Sequence, residues 1–96
     1  MLVLVVYDIQ TVSPEGKHRL RQVAKVCEAV GRRVQNSVFE CLLDASQLRS
    51  FQDRLGKLID RKTDSVRYYN LGNTYDSRVI ATRKEKLYSL ETPLIL

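Results

Sequence analysis

Asp8 is the residue whose position in the sequence most clearly suggests chemistry. It ends an unbroken apolar run from Leu2 to Tyr7, in which β-branched, aliphatic and aromatic side chains follow one another without polar alternation. Such a run predicts a strand that is buried on both faces. A carboxylate where a rigid buried strand meets solvent is well placed for catalysis or binding. The structural alternative is a carboxylate that accepts backbone N–H bonds from the loop after the strand.

A cluster of basic residues after this strand is the second feature with chemical meaning. The chain carries a formal charge of +5, from 16 Lys and Arg against 11 Asp and Glu. Residues 17–33 hold six of these bases and a single acid, Glu28, so this stretch alone accounts for the net charge. A basic stripe suits a phosphate backbone or an anionic membrane surface, whereas its structural alternative is a solvated helix face. The six bases are Lys17, Arg19, Arg21, Lys25, Arg32 and Arg33.

Length and composition predict one globular domain over residues 1–96. A chain of 96 residues, 44% hydrophobic and 28% charged, can bury one sheet and two helices. Cys27 and Cys41 lack CxxC spacing and neighbouring His residues, which predicts two reduced, buried thiols. Residues 1–7 are too short for a signal peptide, and no stretch is long enough to span a membrane. We therefore expect a cytoplasmic protein without a membrane partner.

Helix 1 must position the basic stripe. Ser13 and Pro14 form a typical helix start, a hydroxyl N-cap followed by proline at the first helical position. Apolar residues at spacings of three and four then predict a helix from about Glu15 to Val30, ended by Gly31 at the C′ position. Several bases share the outer face of this helix, but Arg19 is in line with the apolar residues and is directed toward the interior edge.

The remaining elements follow from the same periodicities. A β region, a second helix with Asp44 or Ser46 as its N-cap, two further strands and an apolar tail are predicted. Asp60 and Asp64 fall in the turn after the second helix, where capping explains them. The predicted bounds are Val34–Leu43 for the β region, Ser46–Ile59 for the helix, Ser65–Leu71 and Arg78–Thr82 for the strands, and Pro93–Leu96 for the tail.

The order of these elements predicts an α+β fold, a ferredoxin-like βαββαβ sandwich, provided that residues 33–44 contain two strands. One long bent strand there is the alternative. Right-handed crossovers place both helices on one face of the sheet. Since the first strand is apolar on both faces, we expect a second copy of the chain to cover the other face. Pro93–Leu96 can add a strand to the partner's edge, with a frayed tail as the alternative.

Three segments of this sequence together resemble a known family. They are Leu4–Ile9, Arg19–Arg21 and Gly31–Glu40, and the third contains the string Gln-Asn-Ser-Val-Phe-Glu at a fixed distance from Tyr-Asp. Taken together they resemble the Cas-two (Cas2) family, the small nucleases of CRISPR systems. The resemblance covers residues 1 to about 71, and the apolar ending is similar to that of type I-C members.

The resemblance implies a ferredoxin-like homodimer of single-domain chains, in which a C-terminal extension, residues 72–96, crosses to the partner protomer. It also implies a role in CRISPR spacer acquisition beside the Cas-one integrase. Some members of the family are magnesium-dependent endonucleases that act on single-stranded RNA or double-stranded DNA. Others act only as a DNA-binding scaffold of the integration complex, so both functions stay open for this chain.

The resemblance further implies roles for individual residues. Asp8 matches a metal-binding aspartate that holds Mg²⁺, and because it is the only acid of the motif, a competent site would need Asp8 from both protomers. Tyr7, Arg19 and Arg33 match catalytic positions, at which an arginine neutralises charge on a phosphate. The residues predicted to bind nucleic acid are Lys17, Arg21, Lys25, Arg32, Ser37 and Phe39.

Structural alternatives exist for three of these residues. Arg19 and Arg33 could form ion pairs with Glu28 or Glu40 as partners. The apolar neighbours of Phe39 favour a place in the core over a base-stacking platform.

A ferredoxin-like module for a small ligand is a third functional class, and it is disfavoured because it leaves the basic stripe unexplained.

Overall fold

The computed structural model describes residues 1–82, and these form four strands, two α-helices and one short 3-10 helix. This content confirms the predicted α+β class, with element bounds within a few residues of those expected. In chain order the elements are β1 (Leu2–Asp8), α1 (Pro14–Val30), β2 (Gly31–Gln35), β3 (Val38–Leu42), α2 (Ala45–Leu58), β4 (Ser65–Asn70) and the 3-10 helix Tyr75–Ser77.

The four strands form one antiparallel sheet in the order β2-β3-β1-β4. β1 is central: Val5 lies opposite Phe39 of β3 on one side and opposite Tyr68 of β4 on the other. This order, with a helix after β1 and another after β3, is the ferredoxin-like plan. β1 and β3 are the two strands that are hydrogen-bonded on both sides, and β1 carries Asp8 at its end.

The two-strand alternative for residues 33–44 is the one that the structure adopts. β2 and β3 are joined by a turn at Asn36 and Ser37, and their pairing is irregular between Arg33 and Gln35. The turn lies beside the end of β1, because the Tyr7 N–H donates to the Ser37 carbonyl at 3.1 Å. This contact places the predicted motif around residues 35–40 next to Asp8.

The predicted strand at residues 78–82 is wrong. Tyr75–Ser77 forms a 3-10 helix instead, and the N–H groups of Arg78 and Val79 both donate to the Tyr75 carbonyl, at 2.9 and 3.0 Å. Those bonds coil the backbone where a strand needs it extended. The predicted tail strand, Pro93–Leu96, and most of the predicted extension lie outside the described residues.

Both helices begin at side-chain caps. Ser13 is the N-cap of α1, as predicted, and its Oγ accepts from the Gly16 N–H at 3.0 Å. Of the two predicted alternatives for α2, Asp44 is the N-cap: its carboxylate accepts from the Gln47 N–H at 2.7 Å, while the Gln47 side chain accepts from the Asp44 N–H at 2.9 Å. This reciprocal capping box satisfies two N–H groups that the helix leaves unbonded.

Gly31 ends α1 at the predicted position but for a different reason. Its φ of −148° and ψ of −173° are extended, so the left-handed C′ conformation is absent and β2 starts directly at the helix end. A Cβ at this position would collide with the Cys41 Sγ and would lie 2.7 Å from the Glu40 carbonyl oxygen. Glycine is required here because two neighbouring strands and a helix end approach one another closely.

We expect Gly31→Ala to destabilise the fold by about 2 kcal/mol, because the added methyl group must displace buried backbone and a buried thiol. Gly56→Ala is the matched control. Within α2, a Cβ at Gly56 would meet only the flexible end of Arg61, at 3.2 Å, and alanine is the better helix former by about 0.5–1 kcal/mol. Denaturant unfolding of both variants measures the difference. Equal stability of the two variants would contradict the close-approach explanation.

The two faces of the sheet have different surroundings. The face covered by both helices, the helix face, carries the main core. Cys27 and Cys41 lie in this core as free, buried thiols, as predicted, and burial raises the pKa of each to about 12. The opposite side, the open face, is defined by the alternate residues Leu4, Val6, Asp8, Val38, Glu40, Leu42, Arg67 and Tyr69. No helix within residues 1–82 has the length and apolar content that a membrane span requires.

Candidate nucleic-acid and metal site

Asp8 is the exposed last residue of β1 and lies on the open face, opposite Ser65 of β4. Within residues 1–82 its carboxylate has no hydrogen-bond or ion-pair partner. The structural alternative for Asp8 was to accept N–H bonds from the loop after β1. Asp64 takes this role instead, because the Gln10 N–H of the loop donates to Asp64 at 3.0 Å. Asp8 is thus available to an external ligand.

Tyr7, which was predicted to be catalytic, lies in the core. Its side chain alternates to the helix face, where it is buried, and its hydroxyl donates to the Asn36 carbonyl at 3.1 Å. Burial raises the pKa of Tyr7 above its usual value, so the hydroxyl stays protonated at neutral pH. Since adjacent residues of a strand face opposite sides, Tyr7 and Asp8 cannot act on the same ligand within one protomer.

Phe39, which was predicted to bind nucleic acid, is completely buried. The ring stacks on Tyr7 with centroids 6.1 Å apart, and the Arg33 guanidinium lies over it at 5.1 Å from its centroid. A base-stacking platform must be exposed to receive a base. The core alternative is the one that the structure supports.

Arg33 forms the structural ion pair that was the alternative to a catalytic role. Its Nη2 lies 3.1 Å from Glu28 Oε1, and both side chains are about half exposed. It packs over Phe39 on the helix face, whereas Asp8 lies on the open face. Glu40, the other carboxylate considered as a partner, lies on the open face opposite Arg32.

Arg19 is also held in an ion pair, with a partner that the sequence did not indicate. Its Nε lies 2.8 Å from Asp64 Oδ2, and the Asp64 side chain is fully buried. Asp64 also accepts from the backbone N–H groups of Gln10 and Asp60 and from the Thr63 hydroxyl, at 2.9–3.1 Å. Burial by itself raises the pKa of Asp64, but Arg19 and these N–H donors outweigh it and lower the pKa to about 2.

Asp64 therefore connects three segments: the loop after β1, the first half of α1 and the turn before β4. The interpretation of Asp64 as a turn-capping residue is correct in part, because the Asp60 N–H does donate to it. The signal for its larger role was Arg19, a base in line with the apolar residues of its helix. A base at the interior edge requires a nearby carboxylate.

The outer face of α1 carries exposed cations. Lys17, Arg21 and Lys25 are all exposed, and within the described part of the chain none of them pairs with a carboxylate. Arg32 is half-buried on edge strand β2, and Ser37 is half-buried in the turn beside β1. The predicted nucleic-acid residues are thus divided between an exposed helical row and the surroundings of the β2–β3 turn.

Arg67 is a potential site residue that the sequence analysis missed. It lies opposite Val6, one alternate position from the Asp8–Ser65 pair, so it shares the open face with Asp8. It is exposed, and a hydrogen bond to Tyr69 raises its pKa further above its usual range. Diagonal neighbours across two strands are within reach of a long side chain. Only the register of β1 with β4 shows that Arg67 shares this face with Asp8.

The described part of a single copy of the chain offers few ligands for a metal ion. No group of three or more His, Cys, Asp or Glu side chains suited to a metal occurs in residues 1–82. Mg²⁺ takes oxygen ligands and keeps several waters, so one or two carboxylates can hold it. The exposed carboxylate of Asp8, beside the Ser65 hydroxyl position on β4, fits such a site as one ligand.

The fold and the site together define a class of protein. It is a small ferredoxin-like protein with a basic helix and a free carboxylate at the end of its central strand. The chain belongs to the family of the CRISPR associated protein Cas2, whose family model matches residues 1–79. This match extends beyond the segments on which the resemblance was based, through β4 and the 3-10 helix.

Relatives and solved structures agree with this membership. The chain is 52% identical over 95 residues to the CRISPR-associated endonuclease Cas2 of Halalkalibacterium halodurans, covering 99% of each chain. It is 45% identical over 96 residues to the CRISPR-associated endoribonuclease Cas2 of Chlorobaculum tepidum, covering all of both chains. The crystal structure of Streptococcus pyogenes Cas2 at pH 6.5 superposes with a TM-score of 0.75 and 49% identity, over 84% of this chain and 98% of that one.

Proposed function

We propose that this chain is a CRISPR adaptation protein that binds RNA or double-stranded DNA, assembles with the Cas-one integrase in spacer acquisition, and hydrolyses phosphodiester bonds with Mg²⁺. The observation that carries the proposal is the free, exposed carboxylate of Asp8 at the end of the central strand. The names endonuclease and endoribonuclease, which its relatives carry, support the same activity.

The proposal includes a homodimer formed through the open face. Apolar residues of this face, among them Leu4, Val6 and Tyr69, are partly or largely exposed in the single chain, and burial against a second copy removes them from water. A two-fold axis near the strand end would bring the two Asp8 carboxylates together. Residues 72–96 would add further contacts to the partner protomer.

In the proposed reaction Asp8 and Arg67 act from the open face. Mg²⁺, when bound, supplies a water of lowered pKa and neutralises phosphate charge. Asp8 provides a carboxylate ligand and fixes the position of the ion relative to the strand. Arg67, on the same face, binds a non-bridging oxygen of the scissile phosphate and stabilises its developing negative charge. Arg19 and Arg33, both paired with carboxylates, maintain the structure around this site.

A non-catalytic scaffold is the second candidate function, favoured by the absence of a carboxylate cluster within residues 1–82. Both functions require nucleic-acid binding, and only one requires hydrolysis. Incubation of the purified chain with labelled RNA and duplex DNA, with Mg²⁺ or with EDTA, separates them. Cleavage that occurs only with Mg²⁺ supports the nuclease, whereas binding without cleavage supports the scaffold.

Duplex binding should depend on the exposed row of α1. We expect Lys17→Ala/Arg21→Ala to lower affinity about tenfold near physiological salt and to reduce the slope of log K against log salt by about one per lost phosphate contact. The fold should be unchanged, since both side chains are exposed. Arg49→Ala/Lys62→Ala, which removes two exposed bases elsewhere, is the control. Fluorescence anisotropy at several salt concentrations measures the effect, and equal losses in both double variants would show that only net charge matters.

A further inference from the structure

The two helices leave a groove between them on the outer side of the helix layer, away from the open face. One cavity in this groove, of about 410 Å³, is lined by Gln22, Lys25, Val26, Arg54, Lys57 and Leu58. A second cavity of about 250 Å³ lies further along the same helices and includes Val30, Ser50 and Phe51. Arg54 lines both cavities, so they form two halves of one groove, which we call the helix groove.

The two halves of the helix groove differ in charge. The larger half has three cations on its rim, Lys25, Arg54 and Lys57, and no acid among its lining residues. All three are exposed, and none forms an ion pair with another residue in the range 1–82. The smaller half shares Arg54 but is otherwise lined by apolar and uncharged polar side chains. The groove thus combines a positive rim at one end with an uncharged end.

Its floor is apolar. Val26 is almost completely buried, Leu58 is partly buried beside it, and the methylene stems of the three bases extend the apolar surface toward the rim. A phosphate backbone would satisfy the rim but has no apolar group to fill the floor. A peptide segment with acidic and aliphatic side chains satisfies both, with carboxylates at the rim and aliphatic groups below.

We infer that the helix groove is a docking site for an acidic amphipathic segment of a partner protein. From residue 22 to residue 30, α1 spans about 12 Å, enough for roughly two helical turns of such a segment. Charge complementarity sets its direction, with its acidic end against Lys25, Arg54 and Lys57. The groove lies on the opposite side of the sheet from Asp8, so docking there leaves the open face available. The inference does not rest on the proposed nuclease function.

The test uses the full chain and a labelled synthetic peptide with Glu on one face and Leu at positions i, i+3, i+4 and i+7. We expect Arg54→Glu/Lys57→Glu to weaken binding in fluorescence anisotropy at least tenfold. The control, Arg49→Glu/Lys62→Glu, changes the net charge equally at exposed positions outside the groove and should stay within about twofold of wild type. Equal weakening in both double variants would overturn the inference, as would the absence of peptide binding.

Two further comparisons separate a peptide groove from a general basic patch. A peptide with Ala in place of every Leu keeps the charge and loses the apolar groups, so it should bind at least tenfold more weakly. NMR amide shifts induced by the Leu peptide should centre on Val26 and Leu58 rather than on Leu4 and Val6 of the open face. Equal binding of the Ala peptide, or shifts centred on the open face, would each overturn the inference.

Discussion

Asp8→Asn should abolish Mg²⁺-dependent cleavage of RNA and duplex DNA, with a loss of at least about 100-fold, which corresponds to about 3 kcal/mol of transition-state stabilisation. The amide keeps the shape of the carboxylate but removes the charge that a divalent cation requires. Because the Asp8 side chain is exposed and has no partner within residues 1–82, stability should change by less than about 0.5 kcal/mol. A cleavage assay, with circular dichroism as the check on folding, measures both effects.

Three controls test whether a loss of cleavage in Asp8→Asn comes from the metal site. Duplex affinity of Asp8→Asn should stay close to wild type, because the exposed bases of α1 are untouched. Arg67→Ala should lower cleavage by tenfold or more while Arg67→Lys recovers part of it, which a purely structural residue would not show. Cleavage that persists in Asp8→Asn and in EDTA would indicate a contaminating nuclease and would remove the support for a metal site at Asp8.

Asp64→Asn should cost about 3 kcal/mol of unfolding free energy. The variant leaves the Arg19 guanidinium without its buried counter-charge and weakens the hydrogen bonds donated by Gln10 and Asp60. Glu28→Gln, which breaks the half-exposed pair with Arg33, should cost no more than about 0.5 kcal/mol. Urea unfolding at one fixed protein concentration measures both, and similar costs would contradict the central place of Asp64.

The same carboxylate gives the fold a defined acid sensitivity. The pKa of Asp64 is lowered from 3.8 to about 2 in the folded state, so folding favours its ionised form. Its contribution is complete above the unfolded pKa and is lost as the pH falls from about 4 to about 2. Wild type should therefore lose stability more steeply than Asp64→Asn over this range. Parallel pH profiles for the two proteins would contradict the assignment.

Local signals were sufficient to predict much of this fold. The apolar run of β1 and the Ser13-Pro14 helix start depend on residues close together in the chain, and both predictions are confirmed. The sequence did not decide whether residues 33–44 contain a turn, because Asn36 and Ser37 turn the chain without glycine and without positive φ, so the usual Gly-containing hairpin signal is absent. The strand predicted at residues 78–82 does not form, and the Arg78 N–H instead makes a local hydrogen bond to the first residue of the 3-10 helix.

Of the candidate site, the sequence predicted the position of Asp8 at the strand end and Glu28 as a partner of Arg33, but it did not indicate the partner of Arg19. Arg19 and Asp64 are 45 positions apart, and Arg67 reaches the face of Asp8 only through the register of β1 with β4. No periodic pattern in a sequence indicates contacts between residues this far apart in the chain. Tyr7 and Phe39, both predicted as site residues, lie buried on the helix face, because the strand pleat sends alternate residues to opposite faces of the sheet.

The direct junction between α1 and β2 at Gly31 makes this part of the chain intolerant of changes in length. Because no linker residue separates the helix from the strand, an insertion or deletion of one residue before Arg32 would move every following side chain of β2 to the other face. An insertion would place Arg32 at the position over Phe39, and a deletion would place Arg33 at the position opposite Glu40. A change in length is therefore not expected at this junction among members of the family.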